Sequence, residues 1–220
     1  ERAEESESRA RSLAETLQQT LIPPLPPRVP GLDVAAAYRP AGRGHEVGGD
    51  FYDVFQVGVD DWVVVLGDVC GKGIEAAVVT ALVRYTVRAV SVQTADPAEA
   101  LERLDKVLLA HGSSRYCTVV VARLRCVDGA WTVTVSLGGH PLPLHLVPGR
   151  GPEPLGRPGT IVGVFESAAR DETEIVLAPG EALVFYTDGV TEGRRGRELY
   201  GDERLHRAVG GLQGDATAVV

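Results

Sequence analysis

The sequence predicts an α+β domain in which antiparallel sheets pack on one another and helices cover the outside. Three observations carry this reading. Apolar runs of strand length recur with short turn-forming pairs between them, such as Asp128-Gly129 and Pro179-Gly180, the pattern of antiparallel pairing. Two helical stretches, 74–92 and 97–111, follow one another with no strand between them. Strands, then two helices together, then more strands do not make a doubly wound parallel sheet.

The chain has 220 residues, of which 44% are hydrophobic and 24% charged, enough for one good core and a single domain. A formal net charge of -8 argues against a nucleic-acid footprint, which needs a basic face. Cys70, Cys117 and Cys126 form no CxxC pair and leave an odd count, so reduced thiols in the cytoplasm are expected. No apolar run approaches the roughly 18 residues of a membrane span, and no charged-then-apolar leader opens the chain. The charged start at Glu1, without an initiator Met, suggests a piece of something longer.

From Glu1 to Ile22, helix formers surround Leu13, Leu17 and Leu21 at i, i+4 and i+8. This predicts a helix with one narrow apolar stripe, either packing on its own domain or acting as a linker that pairs with a second chain. Pro23 to Gly31 is proline-rich and extended, which puts the division between residues 1–30, a helical linker and connector, and a domain over 31–220. Leu32, Val34, Ala36 and Tyr38 alternate as one face of a strand. Val47-Gly48-Gly49-Asp50-Phe51-Tyr52-Asp53 then presents Asp50 beside two glycines, either an ordinary turn or a place where a ligand comes close. Trp62 to Leu66 reads as a buried strand that delivers Asp68 at its tip, with glycines turning the chain into a helix. The face of that helix is predicted from Ile74, Val78, Leu82, Tyr85 and Ala89. Asp96-Pro97-Ala98-Glu99 supplies an N-cap, Pro at the first helical position and a capping box; Leu101, Leu104 and Leu108 form the next apolar face, and Gly112 suits its C-cap. Strands are expected over 116–125, 131–137, 142–147, 174–177 and 182–187, with a surface loop over 148–158.

Asp50, Asp68 and Asp188 each lie beside glycine at a predicted strand end, as GGD, GD and DG. Hard divalent cations such as Mg²⁺ or Mn²⁺ take oxygen ligands, keep several waters and need few protein carboxylates. Two such ions about 3.5 to 4 Å apart activate water for in-line displacement at phosphorus. The rival sites are poorer. Gly67 to Gly73 lacks Walker A spacing, because Gly73 follows Lys72 where Ser or Thr is required. The five histidines show no zinc-hydrolase spacing, and no GxSxG elbow is present. His140, in Gly138-Gly139-His140-Pro141, reads as a turn residue, with a place at the substrate edge as the alternative.

The strings VGGDFYDVF, VVVLGDVCGKGIEAAVVTALVRYTVRA, SLGGHPLPL and LVFYTDGVTEGRRGRELYG, in this order, resemble the SpoIIE-type branch of the PPM family of metal-dependent serine/threonine phosphatases. The leading LQQTLIPPLPPRVPGLDVAAAYRP is similar to actinobacterial members in which the catalytic domain follows a sensor domain. The resemblance implies an α-β-β-α sandwich of two antiparallel sheets with two Mn²⁺ or Mg²⁺ ions at one end. It implies Asp50, Asp68 and Asp188 as metal aspartates, Asp68 bridging, and the Val69 backbone carbonyl as a further ligand. The implied reaction is hydrolysis of a phosphoserine or phosphothreonine protein by metal-activated water. The implied substrate is of the anti-sigma-factor antagonist type in a partner-switching pathway. Independently of the resemblance, the stripe Leu13, Leu17 and Leu21 suggests a homodimer through the N-terminal helix. The family closes with an Asp-Asp-x-Thr strand whose first Asp is a ligand; the nearest string here is Gly214-Asp215-Ala216-Thr217, with Gly in that place. Either the terminal motif lies past Val220, or residues are missing before Asp215, or the ligand is lost. The last account makes a catalytically silent binding module for a switch protein the competing function.

Overall fold

The computed structural model describes residues 25–39, 49–211 and 216. The leucine stripe at Leu13, Leu17 and Leu21, and Asp215, lie outside the described residues. Strands β1 (Asp50–Gly58), β2 (Asp61–Val69), β3 (Cys117–Val127), β4 (Ala130–Gly138) and β7 (Glu172–Leu177) form a five-stranded antiparallel sheet in that order. A three-stranded antiparallel sheet contains β5 (Leu144–Leu146) between β6 (Glu153–Pro154) and β8 (Ala182–Val184). β9 (Arg194–Arg195) and β10 (Glu198–Leu199) make a small ribbon. The helices are α1 (Ile74–Ser91), α2 (Pro97–His111), α3 (Asp188–Thr191) and α4 (Asp202–Gly210).

Strand alternation sorts the side chains into layers. Phe51, Val63, Val65, Val69, Val119 and Val121 face α1 and α2 in one buried cluster. Their neighbours Val54, Trp62, Val120, Ala122, Val133 and Val135 face the smaller sheet in a second cluster. Leu144 on the smaller sheet packs outward against Leu205 and Val209 of α4. The layers are therefore helix, sheet, sheet, helix, as expected. Val29, which precedes the predicted division at residue 31, is 3% exposed within the second cluster.

Helix α2 forms as its local sequence dictates. Asp96 caps it by accepting from the Glu99 N–H at 2.9 Å, Pro97 opens it, and Gly112 ends it at φ 71. Glu99 does not return to the cap; its carboxylate takes Thr94 and Arg103 instead, so the capping box is half made. Leu101, Leu104 and Leu108 are buried, each contributing about 1.5–3 kcal/mol by transfer from water.

Four expectations need correction. The predicted face of α1 is mostly its outer one: Ile74, Val78, Tyr85 and Ala89 are exposed and only Leu82 packs against the buried cluster, while Ala76, Val79, Val83, Val87 and Val90 are buried. Two apolar stripes of the same period compete in this helix. The buried one is selected by Asp53, whose carboxylate, 2% exposed, draws Arg84 and Arg88 toward β1. Residues 32–38 form no ladder among the described residues; only an isolated bridge joins Val29 to Leu32. Pro179-Gly180 does not close a hairpin, because β7 pairs in the large sheet and β8 in the small one. The 148–158 loop contains β6 and buries Leu155.

Candidate metal centre

The two central carboxylates meet because of register. In the β1/β2 hairpin Asp50 lies directly opposite Asp68. Strand parity puts both on the face shared with Val54, Val64 and Leu66, between the two sheets. Asp68 is thus part of β2, not a turn after it. Gly67 is needed for close packing: a Cβ there would lie 2.6 Å from the Thr118 carbonyl oxygen and 2.7 Å from the Phe51 ring. The turn comes later, where Gly71 and Gly73 adopt φ of 95 and 87.

Asp188 arrives from the other sheet. The chain leaves β8 and turns at Thr187, the N-cap residue of α3, with Asp188 first in that helix. Carboxylate oxygens of Asp50, Asp68 and Asp188 all lie within 4.8 Å of one another. Asp188 is exposed and the other two are half-buried. All three predicted aspartates are brought together.

The electrostatics of the cluster call for a cation. Burial, then the charges of Asp50 and Asp188, push the Asp68 carboxyl up to about 7. Burial likewise raises Asp50, against a hydrogen bond from Thr187. Asp50 Oδ1 is buried with no protein partner, which is costly for an anionic oxygen unless a cation meets it. Backbone oxygen is at hand too. A Cβ on Gly49 would lie 1.9 Å from the Val69 carbonyl oxygen and 2.5 Å from Asp68 Oδ1, so both oxygens crowd the space that glycine leaves open. An all-oxygen set of this kind fits Mg²⁺ or Mn²⁺ rather than a thiophilic metal.

Of the residues beneath the cluster, sequence reasoning missed Thr118 and placed His140 first as a turn residue, with the substrate edge as its alternative. Thr118 pairs in register with Asp68, and its hydroxyl is 3.0 Å from His140 Nδ1. His140 is no surface turn residue: it is 4% exposed, and burial depresses its imidazole to about 4, so it is neutral near pH 7. The available signal was Gly139, whose φ of 74 folds the chain inward after β4.

A family model described as Stage II sporulation protein E (SpoIIE) matches residues 58–219. The chain belongs to the SpoIIE family. The SpoIIE-type resemblance read from the motif strings is thereby borne out. Protein IcfG of Synechocystis sp. is 29% identical over 217 residues, covering 86% of this chain and 34% of that protein. Phosphoserine phosphatase RsbU of Bacillus subtilis is 26% identical over 183 residues, covering 83% of this chain and 53% of RsbU. The chain therefore spans between a third and about half of the length of these relatives. The SiaA-PP2C domain of Pseudomonas aeruginosa shares the fold, with a TM-score of 0.72 at 17% identity over 99% of this chain and 87% of that one. The expected α-β-β-α sandwich of two antiparallel sheets is thus the observed architecture.

Proposed function

We propose that this chain carries a metal-dependent protein-serine/threonine phosphatase, its centre held by Asp50, Asp68, Asp188 and the Val69 carbonyl. The observation that carries the reading is the three carboxylates within 4.8 Å of one another, with Asp50 Oδ1 buried and unpartnered. Bound Mn²⁺ or Mg²⁺, two ions in this reading, would supply an activated water and neutralise charge on the phosphoryl group. The chain's own part is to orient and to exclude. The Asp50–Asp68 pairing fixes two carboxylates on rigid strands, Thr187 donates to Asp50, and exposed Asp188 leaves the site open toward solvent on the side a phosphorylated side chain would enter.

The similarity to RsbU, a phosphoserine phosphatase, supports a phosphoprotein substrate of the anti-sigma-factor antagonist type in partner switching. In the same reading, residues 1–30 link an upstream sensor domain to a catalytic domain over 31–220, and Leu13, Leu17 and Leu21 pair two copies. A cytoplasmic location accords with the reduced cysteines, and no helix among the described residues is long and apolar enough to cross a membrane. Asp215 is proposed as a further ligand only if no later Asp-Asp-x-Thr strand replaces it. The test is hydrolysis of a phosphoserine peptide with and without Mn²⁺. Turnover that requires Mn²⁺ and is lost in Asp68→Ala supports the assignment; activity indifferent to both overturns it. Absence of turnover, with binding of the switch protein that persists in EDTA, would support the silent binding module.

A further inference from the structure

The segment that joins the metal centre to the helical layer is gripped from one side by Arg115. This residue lies in the stretch between α2 and β3. Its Nη1 donates to the Cys70 carbonyl at 2.7 Å, and its Nη2 donates to the Glu75 carboxylate at 3.0 Å. The Arg115 side chain is 20% exposed, whereas Glu75 is 86% exposed. Gly71 makes this possible: a Cβ there would lie 2.0 Å from Arg115 Nη1. The next residue completes the grip, as the Cys70 N–H donates to the Tyr116 carbonyl at 2.9 Å.

These bonds bear directly on the Val69 carbonyl. A peptide group is planar and trans, so the Val69 C=O and the Cys70 N–H point in opposite directions. Pinning that N–H on Tyr116 therefore turns the Val69 oxygen toward Gly49 and Asp68, where it lies. Pinning the following Cys70 C=O on Arg115 stops the adjacent peptide from rotating and carrying the first with it. Asp68, one residue earlier, is held on the strand side by its pairing with Asp50 and Thr118. The loop is thus fixed on the sheet by register and at its exit by one guanidinium.

Resting on the metal-centre reading, we infer that Arg115 is a positioning residue for the cation, holding the Val69 carbonyl in place through Cys70. Its two bonds are unequal. The Cys70 bond is the half-buried one that orients the site; the Glu75 pair is a surface contact of little energetic weight. A planar fork makes both bonds at once, and lysine makes one.

The experiment measures Mn²⁺ affinity by calorimetry and the Mn²⁺ dependence of phosphoserine-peptide hydrolysis, alongside unfolding of the metal-free protein. In Arg115→Ala the affinity falls about 10- to 100-fold, the usual cost of removing a group that orients a ligand. The Mn²⁺ concentration for half-maximal rate rises by the same factor, while kcat at saturating Mn²⁺ is largely recovered. Arg115→Lys regains part of the affinity, and Glu75→Gln retains nearly all of it. Wild-type affinity in Arg115→Ala, or in Arg115→Met should the alanine variant not fold, since methionine keeps the apolar stem but cannot donate to the Cys70 carbonyl, overturns the inference while leaving the phosphatase reading intact. If wild type and Asp68→Ala bind Mn²⁺ alike, the metal-centre reading fails and this inference falls with it.

Discussion

Gly49→Ala is the sharpest perturbation of the centre that leaves every proposed ligand in place. The new Cβ would stand 1.9 Å from the Val69 carbonyl oxygen and 2.8 Å from the Val69 carbonyl carbon, against a shortest real contact of 3.0 Å. The neighbours are backbone and cannot swing aside like a flexible side chain. The gap must therefore open by more than about 1 Å, several times the roughly 0.2 Å tolerance of metal–ligand distances. In the metal-free protein the overpacking costs about 1–3 kcal/mol. Mn²⁺ affinity falls further, by at least about 100-fold, the upper end for changes around a metal. Calorimetric Mn²⁺ titration and hydrolysis of a phosphoserine peptide read the second effect, and denaturant unfolding in EDTA reads the first. A folded Gly49→Ala protein with wild-type Mn²⁺ affinity would refute the placement of the Val69 carbonyl at the centre.

Asp68→Asn abolishes the Mn²⁺-induced rise in melting temperature yet raises the melting temperature in EDTA, because a crowded anion disappears; calorimetry in both buffers checks the pair of signs. The pH profile in EDTA follows from the same crowding. The folded Asp68 carboxyl, near 7, lies above its ordinary 3.8, so its contribution is present at low pH and lost as pH rises through 7. His140 runs the other way, since a folded value near 4 removes stability as pH falls from 6.5 toward 4. Between pH 6.5 and 7.5 Asp68 dominates this pair, and the metal-free protein loses stability with rising pH. Asp68→Asn or added Mn²⁺ flattens that slope, and a slope unchanged in both contradicts the assignment. Asp53→Ala removes the buried carboxylate that Arg84 and Arg88 share and costs about 3–5 kcal/mol in denaturant unfolding; a loss below about 1 kcal/mol would show that the cluster behaves as a surface ion pair.

The chemistry was legible in the sequence because it is local. Glycine beside aspartate at the end of an apolar run marks Asp50, Asp68 and Asp188 without knowledge of their distances. Their meeting was not legible from composition or spacing, since it depends on a register that puts residue 50 across from residue 68. Helix α2 was readable to the residue through Asp96, Pro97 and Gly112. The buried face of α1 was not, because Ile74, Val78 and Tyr85 have the same period as Val79, Val83 and Val87. The deciding residue, Asp53, belongs to another strand. Similarly, Pro179-Gly180 announces a turn but not which sheet the chain enters afterward. Arg115 was invisible for a related reason: nothing around it in sequence points to Cys70, and only the fold brings the two together.

The pairing of Asp50 with Asp68 has a consequence for how a cation would leave the proposed centre. β2 lies between β1 and β3, so Asp68 shifts only when the sheet opens. Asp188 belongs to a four-residue helix with none of its side chains buried and no side-chain cap. Opening free energies are lowest where burial and protected backbone bonds are fewest. Fraying of 188–191 therefore frees one carboxylate while the strand pair keeps the other two. Metal exchange at the proposed centre would in this way be separated from global unfolding: the domain would shed and regain a cation many times within the lifetime of one folded sheet.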